Sequence, residues 1–385
     1  MYKIKLLNKI SPQGLAVFSS SNYQVGEDIE NPDGIIVRSA SMHEMELPPN
    51  LLAIARAGVG VNNIPVERCT ELGIPVFNTP GANANAVKEL TIMGLLMSAR
   101  KIFPAMEWVQ SLRGRGDEVP KLVEAGKSKF TGPEIKGKKL GVIGLGTIGV
   151  LVANAAVELG MEVYGYDPFL SVDTAFKIHR GVHHANTLKE IYDVCDFITL
   201  HVPATRETKG MINSQSLNAM KSGVRILNFA RGELVDDDDM LAALEDRQVR
   251  CYVTDFPNDK LLGQPGVIAL PHLGASTPES EENCAEMAAR QLKDFLETGN
   301  VRNSVNFPDM QIPRSGRGRI TVTHRNIPTM IAQISSCIGD NINNLTNNSK
   351  NGLAYTIMDI DGQVTVDMVE RIKALDGVIS VRMFK

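Results

Sequence analysis

The sequence predicts an α/β protein built on doubly wound parallel sheets, with a smaller α+β unit at its C-terminal end. Three observations carry that reading. Continuous apolar runs of four or five residues alternate with helical stretches, the pattern of a parallel sheet covered on both faces. A glycine-rich turn stands between a strand and a helix in the middle of the chain. The last 70 or so residues change rhythm to strand, helix, strand, strand, helix, strand.

In the first third, "DGIIV" (33–37), "LLAIA" (51–55) and "IPVF" (74–77) read as strands, and a helix rich in Ala, Leu and Met runs from about Ala84 to Ile102. In the middle, "KLGVIGLG", "MEVYGYD", "DFITLHVP", "VRILNFARG", "RCYVTDF" and "GVIALPHLG" each read as a buried strand running into a polar or glycine-rich loop. "NVRNSVNFPDMQIPRSGRGR" holds two prolines and has little periodicity, so it reads as a linker.

The composition excludes several classes. The 385 residues suffice for two or three domains. A net charge of −4 and a pI of about 6.0 give no basic face for nucleic acid or anionic membrane. No apolar run approaches the roughly 18 residues of a membrane span, and the first residues carry no signal-peptide core. Five cysteines without a CxxC pair suit a reducing, cytoplasmic setting.

The glycine-rich turn is Gly144-x-Gly146-x-x-Gly149, flanked by Thr147 and Ile148, and a second strand ends at Asp167. The glycines allow a tight turn, close approach of backbone to a pyrophosphate, and close helix–strand packing. Asp167 suits ribose hydroxyls and repels a 2′-phosphate, which favours NAD over NADP. The middle of the chain is therefore expected to be a Rossmann-type domain.

Ligands of an open parallel sheet sit beyond the carboxyl ends of its strands. Arg231, Asp255, Asp259 and His272 all fall at or just past such ends. Hydride exchange between a 2-hydroxy acid and nicotinamide needs a cation for the substrate carboxylate, a histidine to move the hydroxyl proton, and a carboxylate to hold that histidine. In the first third, Arg38 and Arg56 end neighbouring predicted strands. Two guanidinium groups there suit a phosphorylated substrate, and Gly58-Val59-Gly60 can offer N–H groups to a carboxylate.

"AGVGVNNI", "NTPGANANAVKEL", "GVIGLGTIG", "LNFARGELVD", "PHLGAST" and "NSVNFP" together resemble the D-isomer-specific 2-hydroxyacid dehydrogenase family over essentially the whole chain. The resemblance implies a Rossmann-type domain (99–277) inserted into a flavodoxin-like substrate domain (1–98, completed by about 278–304). A linker (305–317) and a ferredoxin-like ACT domain (318–385) would follow. It implies Arg231 as the substrate-carboxylate arginine and His272 as the general acid/base. It also implies cofactor contacts at Pro203, Thr208, Ala230, Asp255 and Gly274, besides the glycine loop and Asp167. One departure stands out: where the family reads D-V-F-x-x-E-P, this chain reads "TDFPNDK", so the carboxylate that should hold His272 becomes Asp259. The leading expectation is oxidation of 3-phosphoglycerate with NAD to 3-phosphohydroxypyruvate, the entry to serine biosynthesis. The alternatives are another 2-hydroxyacid dehydrogenase, such as a hydroxypyruvate/glyoxylate reductase, and a weakly catalytic dinucleotide sensor. A dimer or tetramer is expected. L-serine is the expected effector, bound at His324, Asn326 and either Asn343 or Asn344, although the glycine of the family's N-x-P-G is Thr329 here.

Other polar groups read as structural. Asp236 to Asp239 open a helix, where acids complement the helix dipole, and no metal is expected. His179, His183 and His184 read as a solvated loop, and His201 as a satisfied strand-end histidine.

Overall fold

A computed structural model describes residues 1–384 as two compact units. The first comprises residues 1–83 and 278 onward; the second is the insertion 84–277. The first boundary therefore falls at 83/84 and not at 98/99, because the helix Ala84–Arg100 packs its buried face (Val87, Leu95, Ala99) into the core of the second unit. A helix between two domains shows an apolar stripe in its sequence but not which domain that stripe faces.

The first unit holds two sheets. One has five parallel strands in the order β2-β1-β3-β4-β5: β1 (Tyr2–Leu7), β2 (Tyr23–Gly26), β3 (Gly34–Val37), β4 (Ala53–Arg56) and β5 (Val76–Phe77). This is the flavodoxin-like strand order. Each strand of "GIIV" and "AIAR" is nearly continuous in burial because both faces are covered. The helix Pro278–Thr298 returns from the second unit and lays Ala285, Ala288, Ala289, Leu292 and Leu296 against this sheet.

The second unit is a seven-stranded parallel sheet. Its strands are β6 (Lys139–Ile143), β7 (Glu162–Tyr166), β8 (Val182–His184), β9 (Phe197–Leu200), β10 (Val224–Asn228), β11 (Val249–Thr254) and β12 (Val267–Ala269). The order β12-β11-β10-β9-β6-β7-β8 reverses between β6 and β9, and that reversal is the switch point where dinucleotides bind. His183 and His184 lie on the edge strand β8 and not in a loop, with His183 against the Tyr164 ring. Polar residues on an exposed edge give no period-2 signal to read.

The second sheet of the first unit is antiparallel, in the order β14-β15-β13-β16: β13 (Gly318–Arg325), β14 (Ile342–Lys350), β15 (Leu353–Ile360) and β16 (Val378–Phe384). With its two helices, Met330–Ser336 and Val366–Lys373, this is the βαββαβ arrangement. The preceding segment is packed down: Phe307 is fully buried, and Val301 pairs with Met310. Prolines and glycines marked a segment without regular structure, but they did not reveal that its apolar residues join the core.

Candidate active site

At the switch point, β6 runs into the glycine turn. Gly144 has φ +93°, a left-handed value that favours glycine, and a Cβ there would lie 2.6 Å from the carbonyl oxygen of His201. A Cβ on Gly149 would lie 1.9 Å from the Gly144 carbonyl oxygen, whereas one on Gly146 would meet nothing within 4 Å. The first and third glycines thus serve packing, and the second leaves a cradle that a ligand can enter. Gly146 caps the helix Thr147–Glu158 without a side-chain acceptor. The first N–H groups of that helix, from Thr147, Ile148 and Gly149, therefore have no intrahelical partner and suit a pyrophosphate. Asp167 closes the loop: its Oδ2 accepts from Leu145 N at 2.8 Å and its Oδ1 from Phe169 N at 2.9 Å. Across the sheet, Thr208 Oγ1 donates to the Pro203 carbonyl and accepts from Thr205 N, which folds that loop on itself.

Beyond β10, Asn228 organises the turn that carries Arg231. Its buried side chain donates to the Arg231 carbonyl at 2.8 Å and accepts from the N–H groups of Ala230 and Arg231. Arg231 Nη1 in turn donates to the Ala230 carbonyl at 2.7 Å. Sequence reasoning passed over Asn228; the signal available was an amide at the end of an otherwise apolar strand.

Asp255 follows β11 and is 1% exposed, and neither of its oxygens has a well-aligned hydrogen-bond donor. A buried carboxylate in that state fits a group that brings its own donor, such as the carboxamide of nicotinamide. Burial pushes its carboxyl above the usual range, opposed by the charge of His272, the nearby Gly274 N–H and Arg231. Gly274 is buried, and a Cβ there would stand 3.5 Å from Asp255 Oδ2. His272 itself is exposed, with its ring tilted against Phe256 at 4.7 Å between centroids. Asp259 is exposed and makes no hydrogen bond or ion pair among the described residues. Neither carboxylate hydrogen-bonds His272: Asp255 is buried with both oxygens unpartnered among the described residues, and Asp259 is exposed.

The remaining polar groups of this unit are internal. His201 Nε2 meets Thr199 Oγ1 at 3.0 Å, and burial brings its pKa down to about 3, so the ring is neutral at pH 7. Asp236 caps the helix Asp237–Glu245, while Asp238 pairs with Lys260 and Asp237 accepts from Asn258. No group of three or more His, Cys, Asp or Glu among the described residues is placed to hold a metal ion.

In the first unit, Arg38 follows β3, and Arg56 ends β4 in register with Val37. Arg56 Nε donates to the Arg38 carbonyl at 3.1 Å, and its guanidinium lies over Gly58, where a Cβ would clash with it. The Gly58 carbonyl accepts from Thr79 N and the Val59 carbonyl from Asn78 Nδ2. The N–H groups of Val59 and Gly60 donate to no backbone carbonyl among the described residues, as an anion-binding loop requires. The Thr79 hydroxyl is buried without a partner, another feature the sequence did not flag.

On the antiparallel sheet, His324 is buried in β13 with both ring nitrogens engaged. Nδ1 meets the Arg325 carbonyl at 2.9 Å, and Nε2 meets Thr356 Oγ1 at 2.9 Å and Asn347 Oδ1 at 3.2 Å. The asparagine that reaches His324 is therefore Asn347. Asn343 donates to the Ser315 carbonyl, Asn344 accepts from Thr346, and the Asn326 side chain is exposed. Several asparagines share one short stretch, and only the β14–β15 register selects among them. Thr329 takes φ +64° where glycine would be at ease, at a cost of about 1 kcal/mol.

A glycine cradle at the switch point of a parallel sheet, with a carboxylate at the end of the neighbouring strand, is the arrangement of a dinucleotide-binding domain. Residues 92–274 match the family described as D-isomer specific 2-hydroxyacid dehydrogenase, NAD binding domain. The chain is also similar to curated D-3-phosphoglycerate dehydrogenases. It is 33% identical to that of Bacillus subtilis over 80% of this chain and 60% of the relative, and 36% identical to that of Methanocaldococcus jannaschii over 82% and 59%. The chain thus spans about 60% of the length of these relatives. Among solved structures, the NAD+-bound 3-phosphoglycerate dehydrogenase of Entamoeba histolytica aligns with a TM-score of 0.62 at 27% identity, covering 79% of this chain and 98% of that one.

Proposed function

We propose that the protein oxidises 3-phosphoglycerate with NAD to 3-phosphohydroxypyruvate, the reaction that opens serine synthesis. The observation that carries this reading is the pair of arginines at the ends of adjacent strands, tied together through Arg56 Nε and the Arg38 carbonyl. Two guanidinium groups so placed suit a phosphate more than a lone carboxylate. Similarity to named 3-phosphoglycerate dehydrogenases supports the same substrate. NAD, held at the Gly144–Gly149 turn and Asp167, would supply the hydride acceptor for C2. In this reading Arg231 holds the substrate carboxylate and polarises the C2 oxygen. His272 takes the hydroxyl proton, and Asp255 steadies the imidazolium that results. The test is the NADH absorbance formed from 3-phosphoglycerate at alkaline pH, beside a panel of unphosphorylated 2-hydroxy acids. Turnover of glycerate or lactate with none of 3-phosphoglycerate would move the protein to another dehydrogenase of the family.

Arg38→Ala should raise the Michaelis constant for the phosphorylated substrate about 10- to 150-fold, the equivalent of one charge-assisted hydrogen bond of roughly 1.5–3 kcal/mol. Unphosphorylated acids should respond far less. Equal weakening of both would show that Arg38 serves the fold or the carboxylate instead of the phosphate.

The antiparallel βαββαβ unit we read as an ACT-type domain that answers to L-serine in a cytoplasmic homo-oligomer. Its topology and the strand-end position of His324 and Asn326 support this. All five cysteines are free and buried, in keeping with a reducing compartment, and no helix among the described residues is long and apolar enough to cross a membrane. Ile102, Phe103, Met106 and Val109, each at least 40% exposed on one short helix, favour burial against another subunit. Calorimetry with L-serine, on full-length protein whose mass is first fixed by sedimentation, tests both points. A monomer removes the assembly, and no heat at millimolar serine removes the effector.

A further inference from the structure

The substrate-side cation Arg38 already holds an anion. Its Nη2 lies 2.7 Å from Glu281 Oε1, and both side chains remain about two-fifths exposed, at 38% and 43%. Glu281 stands in the first turn of the helix Pro278–Thr298, so its carboxylate sits on a rigid element. That helix is fastened along its length. Gly14 packs against Ala285 so closely that a Cβ would lie 2.4 Å from the Ala285 Cβ, and Gln291 donates to the Asn78 carbonyl. At the far end Tyr2 and Arg382 donate to the Leu296 carbonyl, Arg319 to that of Thr298, and Tyr355 to that of Gly299. Glu281 therefore cannot travel with Arg38 toward a ligand; one of the two contacts has to give way.

We propose that Glu281 is a specificity-determining residue, an internal anion that competes with the substrate's phosphate for Arg38. This rests on the phosphate reading of Arg38 given above. A phosphate brings up to two negative charges and three acceptor oxygens, enough to replace a single carboxylate contact with a bidentate one. A monoanionic hydroxy acid has one carboxylate and no second anion to spend on Arg38, so it leaves the pair closed. The displaced Glu281 returns to water, still favoured by its place at a helix N-terminus. Because both side chains are partly exposed, the pair is weak enough to open and strong enough to set an affinity threshold.

The decisive variant is Glu281→Gln in the full chain, which keeps the shape and removes the charge. The Michaelis constant for 3-phosphoglycerate should fall about 2- to 5-fold, the range that an exposed ion pair allows. Inorganic phosphate should become a stronger competitive inhibitor by a similar factor, and the constant for unphosphorylated acids should stay where it was. Combined with Arg38→Ala, the substitution should have no further effect. A rise in the phosphorylated substrate's constant in Glu281→Gln would mean that Glu281 positions Arg38, and an unchanged one that the pair does not compete; either overturns the proposal. The phosphate reading fails separately, through an Arg38→Ala variant that weakens phosphorylated and unphosphorylated substrates alike.

Discussion

Replacing His272 with Asn is expected to lower turnover by about 100-fold or more, the usual size of a general acid/base contribution, while NAD affinity stays close to normal. The two effects separate because the glycine cradle and Asp167 lie at the switch point between β6 and β9, whereas His272 follows β12 at the edge of the same sheet. Steady-state turnover and a fluorescence titration with NADH measure them independently, and near-normal turnover would remove His272 from the chemistry. The same assay assigns its carboxylate. Asp255 is buried with neither oxygen hydrogen-bonded, whereas Asp259 is exposed and unpartnered among the described residues. Asp255→Asn should therefore shift the pH–rate profile, and Asp259→Asn should leave it in place.

The second large effect concerns stability. Arg319 and Asp359 form an ion pair with 1% and 0% of their side chains exposed, and Arg319 also reaches the Thr298 and Ile312 carbonyls. Arg319→Met should cost about 3–5 kcal/mol in denaturant unfolding, because it leaves a buried carboxylate without its counter-charge. Adding Asp359→Leu should recover part of that loss, since a neutral pair of similar volume has no charge to desolvate. A loss below about 1 kcal/mol for the single variant would show that water reaches Asp359 on unpairing. The pH dependence has a definite sign. Burial alone would raise the Asp359 carboxyl, but the Arg319 hydrogen bond, the Ser315 N–H and the Arg319 charge hold it below its usual range. A depressed carboxyl stabilises the fold above its unfolded value of about 3.9, and that contribution disappears as pH falls through the lower folded value. The gap between wild type and Arg319→Met should accordingly close in acid.

Local structure was legible in the sequence. Gly144, Gly146 and Gly149 announce a dinucleotide turn because the constraint is steric and confined to one strand–turn–helix. Arg231, His272, Arg38 and Arg56 announce themselves as strand-end residues because apolar runs of four or five mark where buried strands stop. Strands whose sides mix polar and apolar residues, such as β1, β2 and β8, gave no such signal. Tertiary structure alone decided which distant groups meet. It set Glu281 on Arg38 and gave His324 Asn347 in place of Asn343 or Asn344. It buried Asp255 and left Asp259 exposed. It also assigned the helix Ala84–Arg100 to the second unit and fastened the antiparallel sheet to the helix Pro278–Thr298 through Arg319, Tyr355 and Arg382. Each of these depends on register between strands or packing between segments tens to hundreds of residues apart. A side chain's reach is a few ångströms, so its partner is fixed by where the backbone folds and not by what stands beside it in the chain.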